Sequence, residues 1–179
     1  MTTLRRLKIL LLSICLVGLP IGAFWLGWRV LDGGNRAKEA RSQGRFAQIE
    51  LMLHIYHEEH GAFPPTKYQP KPGGPIHSWR VLLVPYTSAL FKEKYSQYDI
   101  SKEWNSTTNL KALSRMPYFS YFRMHGEGDN DITHYLAIGE GDEWPSKNPL
   151  RSRLITKGKD RFLVVEDPDS TIHWMEPKY

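Results

Sequence analysis

The pattern of hydrophobic and polar positions opens with a long apolar run. Ile9–Trp28 are twenty consecutive residues without a charge. As a helix rising about 1.5 Å per residue, this run spans roughly 30 Å, which is the thickness of the hydrocarbon core of a bilayer. The pattern therefore predicts a transmembrane helix over residues 9–31, which contacts membrane lipid, preceded by a cytoplasmic tail at residues 1–8.

Two alternatives for this run are a cleaved secretory signal and a lipid anchor on Cys15. The run exceeds the usual signal core of about 7 to 15 apolar residues, and no small-residue cleavage site follows it cleanly. Ile14 is a large branched residue where a lipoprotein site has a small one. Arg5, Arg6 and Lys8 favour an N-terminus that stays inside. We therefore expect a retained, single-pass anchor in the inner (cytoplasmic) membrane, with the rest of the chain outside the cytoplasm.

A second helix is predicted from about Ala37 to His60, after a turn of Asp, Gly and Asn residues. Its apolar positions step by three and four residues and form one buried face: Phe46, Ile49, Leu53 and Tyr56, widened by Met52 and Ile55. Gly61 and the pair Pro64-Pro65 end the helix. Residues 32–45 are assigned to a linker and helix start, and residues 46–179 to a head domain.

Shorter segments follow the helix. Residues 66–76 are rich in proline and glycine and predict a loop, and Trp79–Val84 is a short buried segment that Pro85 stops. Short helices are expected around Ser88–Tyr95 and Asn109–Ser114. Strands are expected at four β-type runs: Tyr118–Met124, Thr133–Ile138, Phe162–Val165 and Thr171–Trp174. A helix followed by strands predicts an α+β fold, with the amphipathic helix packed on a small antiparallel sheet.

Charge and cysteine content argue against several kinds of binding or structural site. The net charge is +5, but four of the 24 basic residues lie in residues 1–31, which leaves 20 against 19 acidic residues. The rest of the chain is thus nearly neutral and lacks the excess that phosphate binding requires, so no nucleic-acid partner is predicted. A single cysteine excludes an internal disulfide framework and a cysteine-based zinc site.

The densest chemical cluster is His54, His57 and His60 near the end of the second helix. Histidines three residues apart share a helix face and can supply two metal ligands. The zinc-protease motif needs a spacing of four with a glutamate between, which this segment lacks. These histidines are weak candidates, the alternative being a solvated helix end, and neither a metal nor a cofactor is predicted.

Motifs for catalysis are also missing. The chain has no Gly-x-Ser-x-Gly nucleophile elbow. Gly139-Glu140-Gly141 lacks the other elements of a phosphate loop and predicts a turn after a strand. The acidic residues that follow, Asp142 and Glu143, lack the order of a calcium-binding loop. We therefore predict that the protein is not an enzyme.

Several stretches resemble one family and occur in its order. They are FAQIELMLHIYHEEHGAFPP, HSWRVLLVPY, EWNSTTNL, THYLAIGEG, FLVVE and IHWMEPK, which are distributed from Phe46 to near the end of the chain, with the weakest agreement at residues 87–102 and 142–161. In these stretches the chain resembles the planctomycete family with the pilin-like domain of unknown function fifteen-fifty-nine. The resemblance implies a type IV pilin-like or pseudopilin-like plan, with an apolar N-terminal helix in the membrane and a small α+β head. It implies no enzymatic activity.

The resemblance also marks positions, to which we assign structural roles: His57, Pro64, Pro65, His77, Trp79, Arg80, Pro85, Trp104, Asn109, Gly139, Gly141, Glu166, Trp174, Glu176 and Pro177. The chain departs from the family in lacking a prepilin cleavage site, which argues for a retained anchor and against a processed fibre. The 157–162 loop keeps only Gly158 of the family pattern, and the cysteine near Met116-Pro117 is absent.

Two functions therefore stand as expectations. The first is a structural or interaction protein that contacts itself or other envelope proteins. The alternative is an anchored binding module for a small ligand, peptide or metal near the tryptophans and histidines. A structural head buries Trp79, Trp104 and Trp174, whereas a binding module lines an open cleft with them.

Overall fold

A computed structural model describes residues 29, 33–113, 122, 131–139 and 150–178. The chain divides into two compact units, residues 1–41 and 42–179. Within the described residues, no helix combines the length and apolarity needed to cross a membrane. The predicted span at Ile9–Trp28 lies outside these residues, as do the tail at 1–8 and Cys15.

Residues 33–60 are helical, and the part that belongs to the second unit, residues 42–60, is called α1. Phe46, Ile49 and Leu53 are buried, as the stripe predicted. Ile55 is 39% exposed, so its assignment to this stripe was wrong. At 3.6 residues per turn, Ile55 lies about 200° around the helix from Leu53, on the opposite side.

Helix α1 ends as predicted. The N–H of Gly61 donates to the carbonyl of His57 over 2.8 Å. Gly61 has φ 77°, a left-handed conformation that glycine adopts without the steric cost of a Cβ. Pro64 is then buried and Pro65 is exposed.

The segment after α1 is more regular than predicted. The expected loop at 66–76 contains β1 (Lys67–Tyr68), which pairs antiparallel with β2 (His77–Ser78). Helix α2 (Trp79–Leu83) follows directly, and the Ser78 hydroxyl accepts from the Arg80 backbone N–H as its N-cap. The α-helix ends at Leu83, just before Pro85 as predicted, and the chain continues in a 3-10 helix at Val84–Tyr86, which tolerates a proline at its start.

Two further helices match the predicted ones closely. Helix α3 is Ala89–Tyr95 and helix α4 is Thr107–Leu113. Phe91, Asn109 and Leu113 are their buried residues.

The main sheet has three antiparallel strands in the order β3-β5-β4. They are β3 (Tyr135–Ile138), β4 (Arg151–Lys157) and β5 (Asp160–Glu166). Strand β4 was not predicted. The presumed 157–162 loop is a tight hairpin in which Lys157 pairs with Asp160, and Gly158 takes φ 61° at the turn.

The predicted strand at Thr171–Trp174 was wrong. In the described residues this segment makes a single bridge between Ile132 and His173. The predicted strand at Tyr118–Met124 lies outside the described residues, apart from buried Phe122.

One face of the sheet packs against α1 and builds the core. The Phe46 and Tyr135 rings meet edge to face, with centroids 5.2 Å apart. Strand register places Tyr135, Val164 and Ile155 on this face, and all three are buried. The fold is therefore α+β with a helix on a small antiparallel sheet, as predicted.

Polar side chains line the same contact. Glu50 accepts from Arg153 over 2.9 Å, and Glu58 pairs with Lys157 eight residues later along α1. Eight helical residues rise about 12 Å and the four strand residues from Arg153 to Lys157 about 13 Å. The two rises agree, and residue numbers increase in the same direction along both elements. This part of α1 therefore runs roughly parallel to β4, with both ion pairs in register. We call these two pairs the helix–strand ladder.

Candidate functional site

The three candidate histidines make three separate contacts. His54 Nε2 lies 3.9 Å from a Glu50 carboxylate oxygen, and His57 Nε2 lies 2.8 Å from the Asp160 carboxylate. His60 Nε2 lies 3.0 Å from the Tyr86 hydroxyl. Among the described residues, no three His, Cys, Asp or Glu side chains are placed to hold a metal ion. The structure therefore does not bring these histidines together as a metal centre.

Arg80 is fully buried and binds backbone carbonyls from distant parts of the chain. Its Nε donates to Tyr135 O over 3.0 Å, and its terminal nitrogens donate to Lys178 O at 3.3 and 3.4 Å and to Glu176 O at 3.4 Å. Nη1 also donates to the Ser78 hydroxyl over 2.9 Å. Burial lowers the Arg80 pKa to about 9, so the guanidinium stays charged at neutral pH.

The C-terminal segment that Arg80 holds is packed into the head. Trp174 is 1% exposed, and its backbone N–H donates to Asp131 O over 2.8 Å. The Thr133 N–H donates to Ile172 O over 2.9 Å. Pro177 is half-buried. The segment is thus fixed both by backbone hydrogen bonds and by burial of an indole ring.

His77 is buried and neutral. Its Nε2 lies 2.9 Å from Ile100 O, which can only accept, so Nε2 carries the proton. Burial lowers the His77 pKa and so favours the neutral imidazole. In that form Nδ1 accepts from the Tyr98 hydroxyl, 2.6 Å away.

Asn109 fixes the loop that precedes α4. Its side-chain oxygen accepts from Asp99 N over 2.8 Å, and its amide nitrogen donates to Asp99 O and Glu103 O at 3.0 and 2.9 Å. Trp104 in this loop is half-buried and lies 5.1 Å from the His173 ring.

Glu166, at the end of β5, is a fully buried carboxylate with three donors. The Ser42 hydroxyl donates over 2.7 Å, the Tyr135 hydroxyl over 2.8 Å and Arg151 over 3.2 Å. Burial and the neighbouring Glu166 raise the Tyr135 pKa, so its phenol remains a donor. The site closes the sheet against the start of α1.

The remaining motif positions lie in the core or in turns. Trp79 is fully buried, 5.2 Å from the Phe162 ring and 5.5 Å from the Phe122 ring. Gly139 follows β3, and Gly141 lies outside the described residues together with the acidic residues 140, 142 and 143. Trp79 and Trp174 are thus buried as in a structural head, and Trp104 is partly so.

The sequence did not indicate a group of half-buried tyrosines, which we call the tyrosine cluster: Tyr56, Tyr68, Tyr86 and Tyr95. They come from α1, β1, the 3-10 helix and α3. The Tyr56 and Tyr86 rings are nearly perpendicular at 5.9 Å, and the His60 ring lies 4.1 Å from Tyr56. Tyr56, Tyr86 and Tyr95 also pack against the hydrophobic core.

The hydroxyl groups of the tyrosine cluster differ in their partners. The Tyr86 hydroxyl lies 3.0 Å from His60 Nε2, and burial followed by a hydrogen bond with Glu59 raises its pKa. The hydroxyls of Tyr56, Tyr68 and Tyr95 make no hydrogen bond to any other described residue. Burial and then the Tyr68 phenol raise the pKa of Tyr56, and burial followed by Tyr56 and Tyr68 raises that of Tyr95 to about 12. The phenols of Tyr56 and Tyr95 are therefore protonated at neutral pH.

Comparisons with known proteins give one result. A family model described as a protein of unknown function (DUF1559) matches residues 35–125, half of the chain. Neither the curated proteins nor the solved structures returned a match.

Proposed function

The chain belongs to the DUF1559 family of proteins of unknown function, and from this membership we propose that it is a non-enzymatic, membrane-anchored structural or interaction protein of pilin-like or pseudopilin-like plan. In this proposal residues 9–31 lie in the inner membrane and contact lipid. The head lies outside the cytoplasm and contacts other envelope proteins or further copies of the chain.

The observation that carries this proposal is the internal use of the polar motif side chains. His77, Arg80, Asn109 and Glu166 are buried, and each contacts at least two groups of the head. A catalytic group has to reach a substrate, and a group enclosed by its own protein does not. Such a set of residues supports a framework role.

The head architecture supports the pilin-like plan. Helix α1 follows the predicted anchor in the chain and packs its apolar face on an antiparallel sheet. The nearly neutral charge beyond residue 31 offers little resistance to export, and the basic residues Arg5, Arg6 and Lys8 favour an inside N-terminus.

Topology is testable by cysteine labelling, because Cys15 is the only natural cysteine. In a Cys15→Ser background, Lys159→Cys places a thiol at the exposed β4–β5 turn, and Thr3→Cys places one in the predicted tail. Cells with the outer layers opened are treated with a membrane-impermeant maleimide. We expect labelling at position 159 in intact spheroplasts, and at position 3 only after lysis of the inner membrane.

The reverse labelling pattern would contradict the orientation. Sequencing the N-terminus of the purified protein tests the anchor separately, since a mature protein that begins beyond Ile9 has lost it. Crosslinking of the labelled head in membranes, with detection of shifted species, then tests whether it contacts envelope proteins or copies of itself. A head that crosslinks to neither would contradict the interaction role.

A further inference from the structure

We propose that the free edge of strand β4 pairs antiparallel with β4 of a second copy of the chain, which joins two heads through one continuous sheet. The inference rests on the proposed role as an interaction protein and names its partner. Strand β4 lies at the edge of the β3-β5-β4 sheet, with no described strand on its other side. Such an edge is a template on which a further strand can add.

The hairpin between β4 and β5 shows which backbone groups of β4 face this edge. In a two-residue hairpin, the residues that flank the turn, here Lys157 and Asp160, exchange both of their backbone hydrogen bonds. Because hydrogen-bonded pairs alternate along an antiparallel ladder, every second residue back from Lys157 also bonds to β5. Ser152, Leu154 and Thr156 therefore direct their N–H and C=O groups away from β5, toward the free edge.

The charges that usually protect an edge strand are neutralised in β4. Edge strands are commonly protected by lysines, prolines or bulges. Strand β4 contains no proline and pairs with β5 without a bulge. Its three basic residues lie on the face toward α1, and each has an acidic partner within the head. The pairs are Arg151–Glu166, Arg153–Glu50 and Lys157–Glu58. Because each pair is neutral, these residues add little repulsion between two copies of the strand.

The opposite face of β4 is uncharged and carries an exposed leucine. Ser152, Leu154 and Thr156 are exposed there, and the exposed fraction of Leu154 is 54%. The register aligns Leu154 with Leu163 of β5, which in turn aligns with Ile138 of β3. Both of these neighbours are half-buried, so an apolar row runs across the sheet and ends at the free edge. A second strand with a leucine at this point extends the row and covers Leu154.

The sequence of β4 complements itself when two copies run antiparallel. Leu154 is the central residue of Arg151–Lys157, so a two-fold axis at Leu154 overlaps all 7 residues of the strand. Leu154 then faces its counterpart in the second copy, and Ser152 faces Thr156 on both sides of the axis. Serine–threonine pairs stabilise antiparallel strands, and the two leucines bury apolar surface against each other. A second copy of β4 is therefore a suitable partner for this edge.

Disulfide crosslinking tests this register in membranes that contain the full chain. In the Cys15→Ser background, Leu154→Cys places two thiols opposite each other, at a Cα separation of about 5.5 Å that a disulfide can bridge. Mild oxidation should give a crosslinked dimer on a non-reducing gel. Ser152→Cys or Thr156→Cys alone places its two thiols about 13 Å apart along the strands, so each should crosslink at least about fivefold less. Present together in one membrane, these two variants should crosslink with each other.

One substitution at two exposed leucines tests the surface itself. Leu154→Lys places like charges opposite each other at the two-fold axis, and we expect dimerisation of the full chain in detergent micelles to weaken about tenfold. Leu51→Lys is the matched control, because Leu51 is 60% exposed on α1, and it should leave the dimer unchanged. Sedimentation measures the dimer fraction. The melting temperature of both variants should match that of the natural protein, since both side chains are exposed.

Several results would overturn the proposal. They are a natural chain that stays monomeric in micelles, equal crosslinking of all three single-cysteine variants, a lack of crosslinking by Leu154→Cys, and an unchanged dimer in Leu154→Lys. Dissociation by Leu51→Lys alone would instead assign the contact between copies to α1. None of these results alters the maleimide labelling pattern. Crosslinks between the head and other envelope proteins would still support the proposed function, so the two failures are distinguishable.

Discussion

The buried polar sites and the tyrosine cluster use similar chemical groups in opposite ways. At Glu166 the Tyr135 hydroxyl has a buried carboxylate partner, 2.8 Å away. The hydroxyl of Tyr56 is half-buried and makes no hydrogen bond to a described residue. Since a polar group removed from water normally finds a partner within the protein, the first arrangement ties the hydroxyl into the fold, whereas a hydroxyl that water can reach does not need such a partner. The same residue type thus occurs in two environments that burial and partners distinguish.

The largest loss of stability should come from removing a fully buried side chain. Trp174→Ala empties a fully buried site next to the segment held by Arg80, and we expect a loss of about 3 to 5 kcal/mol in unfolding free energy. Urea denaturation measures it. Trp104→Ala, at a half-buried position, is the matched control and should lose less. An unchanged midpoint for Trp174→Ala would show that the indole is not part of the core.

A somewhat smaller effect is expected at Arg80. Arg80→Met keeps much of the volume but leaves the carbonyls of Tyr135, Glu176 and Lys178 without this donor, at a cost of about 3 kcal/mol. Exposed Arg161→Met should stay within about 0.5 kcal/mol of the natural protein. Chemical denaturation of both variants at pH 7 tests this difference. Equal stability would remove Arg80 from the framework.

The comparison itself is tested by one substitution at two tyrosines. Tyr135→Phe removes a donor from buried Glu166 and should cost about 1 to 3 kcal/mol. Tyr56→Phe removes a hydroxyl that has no described hydrogen bond and should change stability by less than about 0.5 kcal/mol. Thermal unfolding of both variants, measured side by side, tests whether their losses of stability differ. A similar loss in both would mean that the cluster is also part of the framework.

The smallest effect is a pH dependence from His77. Its pKa is lowered from 6.5 in the folded state because burial disfavours the imidazolium, so an unfolded chain takes up the proton more readily. The contribution to stability is present above pH 6.5 and is lost as the pH falls through the folded value. Denaturation midpoints between about pH 8 and pH 5 should fall less in His77→Gln than in the natural protein. Parallel curves would contradict this assignment.

The helices were predictable because their signals are local. The apolar residues from Phe46 to Leu53 are spaced three and four positions apart, which indicates the side of α1 that meets the sheet. The end of α1 was predictable because Gly61 readily adopts the left-handed φ angle that commonly ends a helix. The overall α+β class followed from the order of these segments along the chain.

Strand β4 escaped prediction because its apolar and polar residues do not alternate. Arg153 and Lys157 lie with buried Ile155 on the face that meets α1, where Glu50 and Glu58 pair with the two basic residues, while Leu154 on the other face is 54% exposed. Hydrophobicity alone therefore does not show which face of this strand is buried. For Trp174 the predicted burial was correct, although the predicted strand at Thr171–Trp174 was wrong.

The tyrosine cluster could not be predicted from spacing. Tyr68, Tyr86 and Tyr95 belong to a two-residue strand, a 3-10 helix and a short helix, and only the fold brings them to Tyr56. Nothing in the local sequence of any one of them separates it from an ordinary core tyrosine. The same holds for Arg80, whose backbone carbonyl partners lie 55 to 98 positions away in the chain.

The helix–strand ladder has a mechanical consequence. Its two ion pairs, Glu50–Arg153 and Glu58–Lys157, lie along the length of α1, and the Ser42–Glu166 hydrogen bond lies at the start of the helix. A pull applied at residue 42 along the helix axis would load all three contacts at once, in shear. Contacts loaded together share the force, whereas contacts opened in sequence each bear it alone. The head is thus built to resist tension that enters through the beginning of α1.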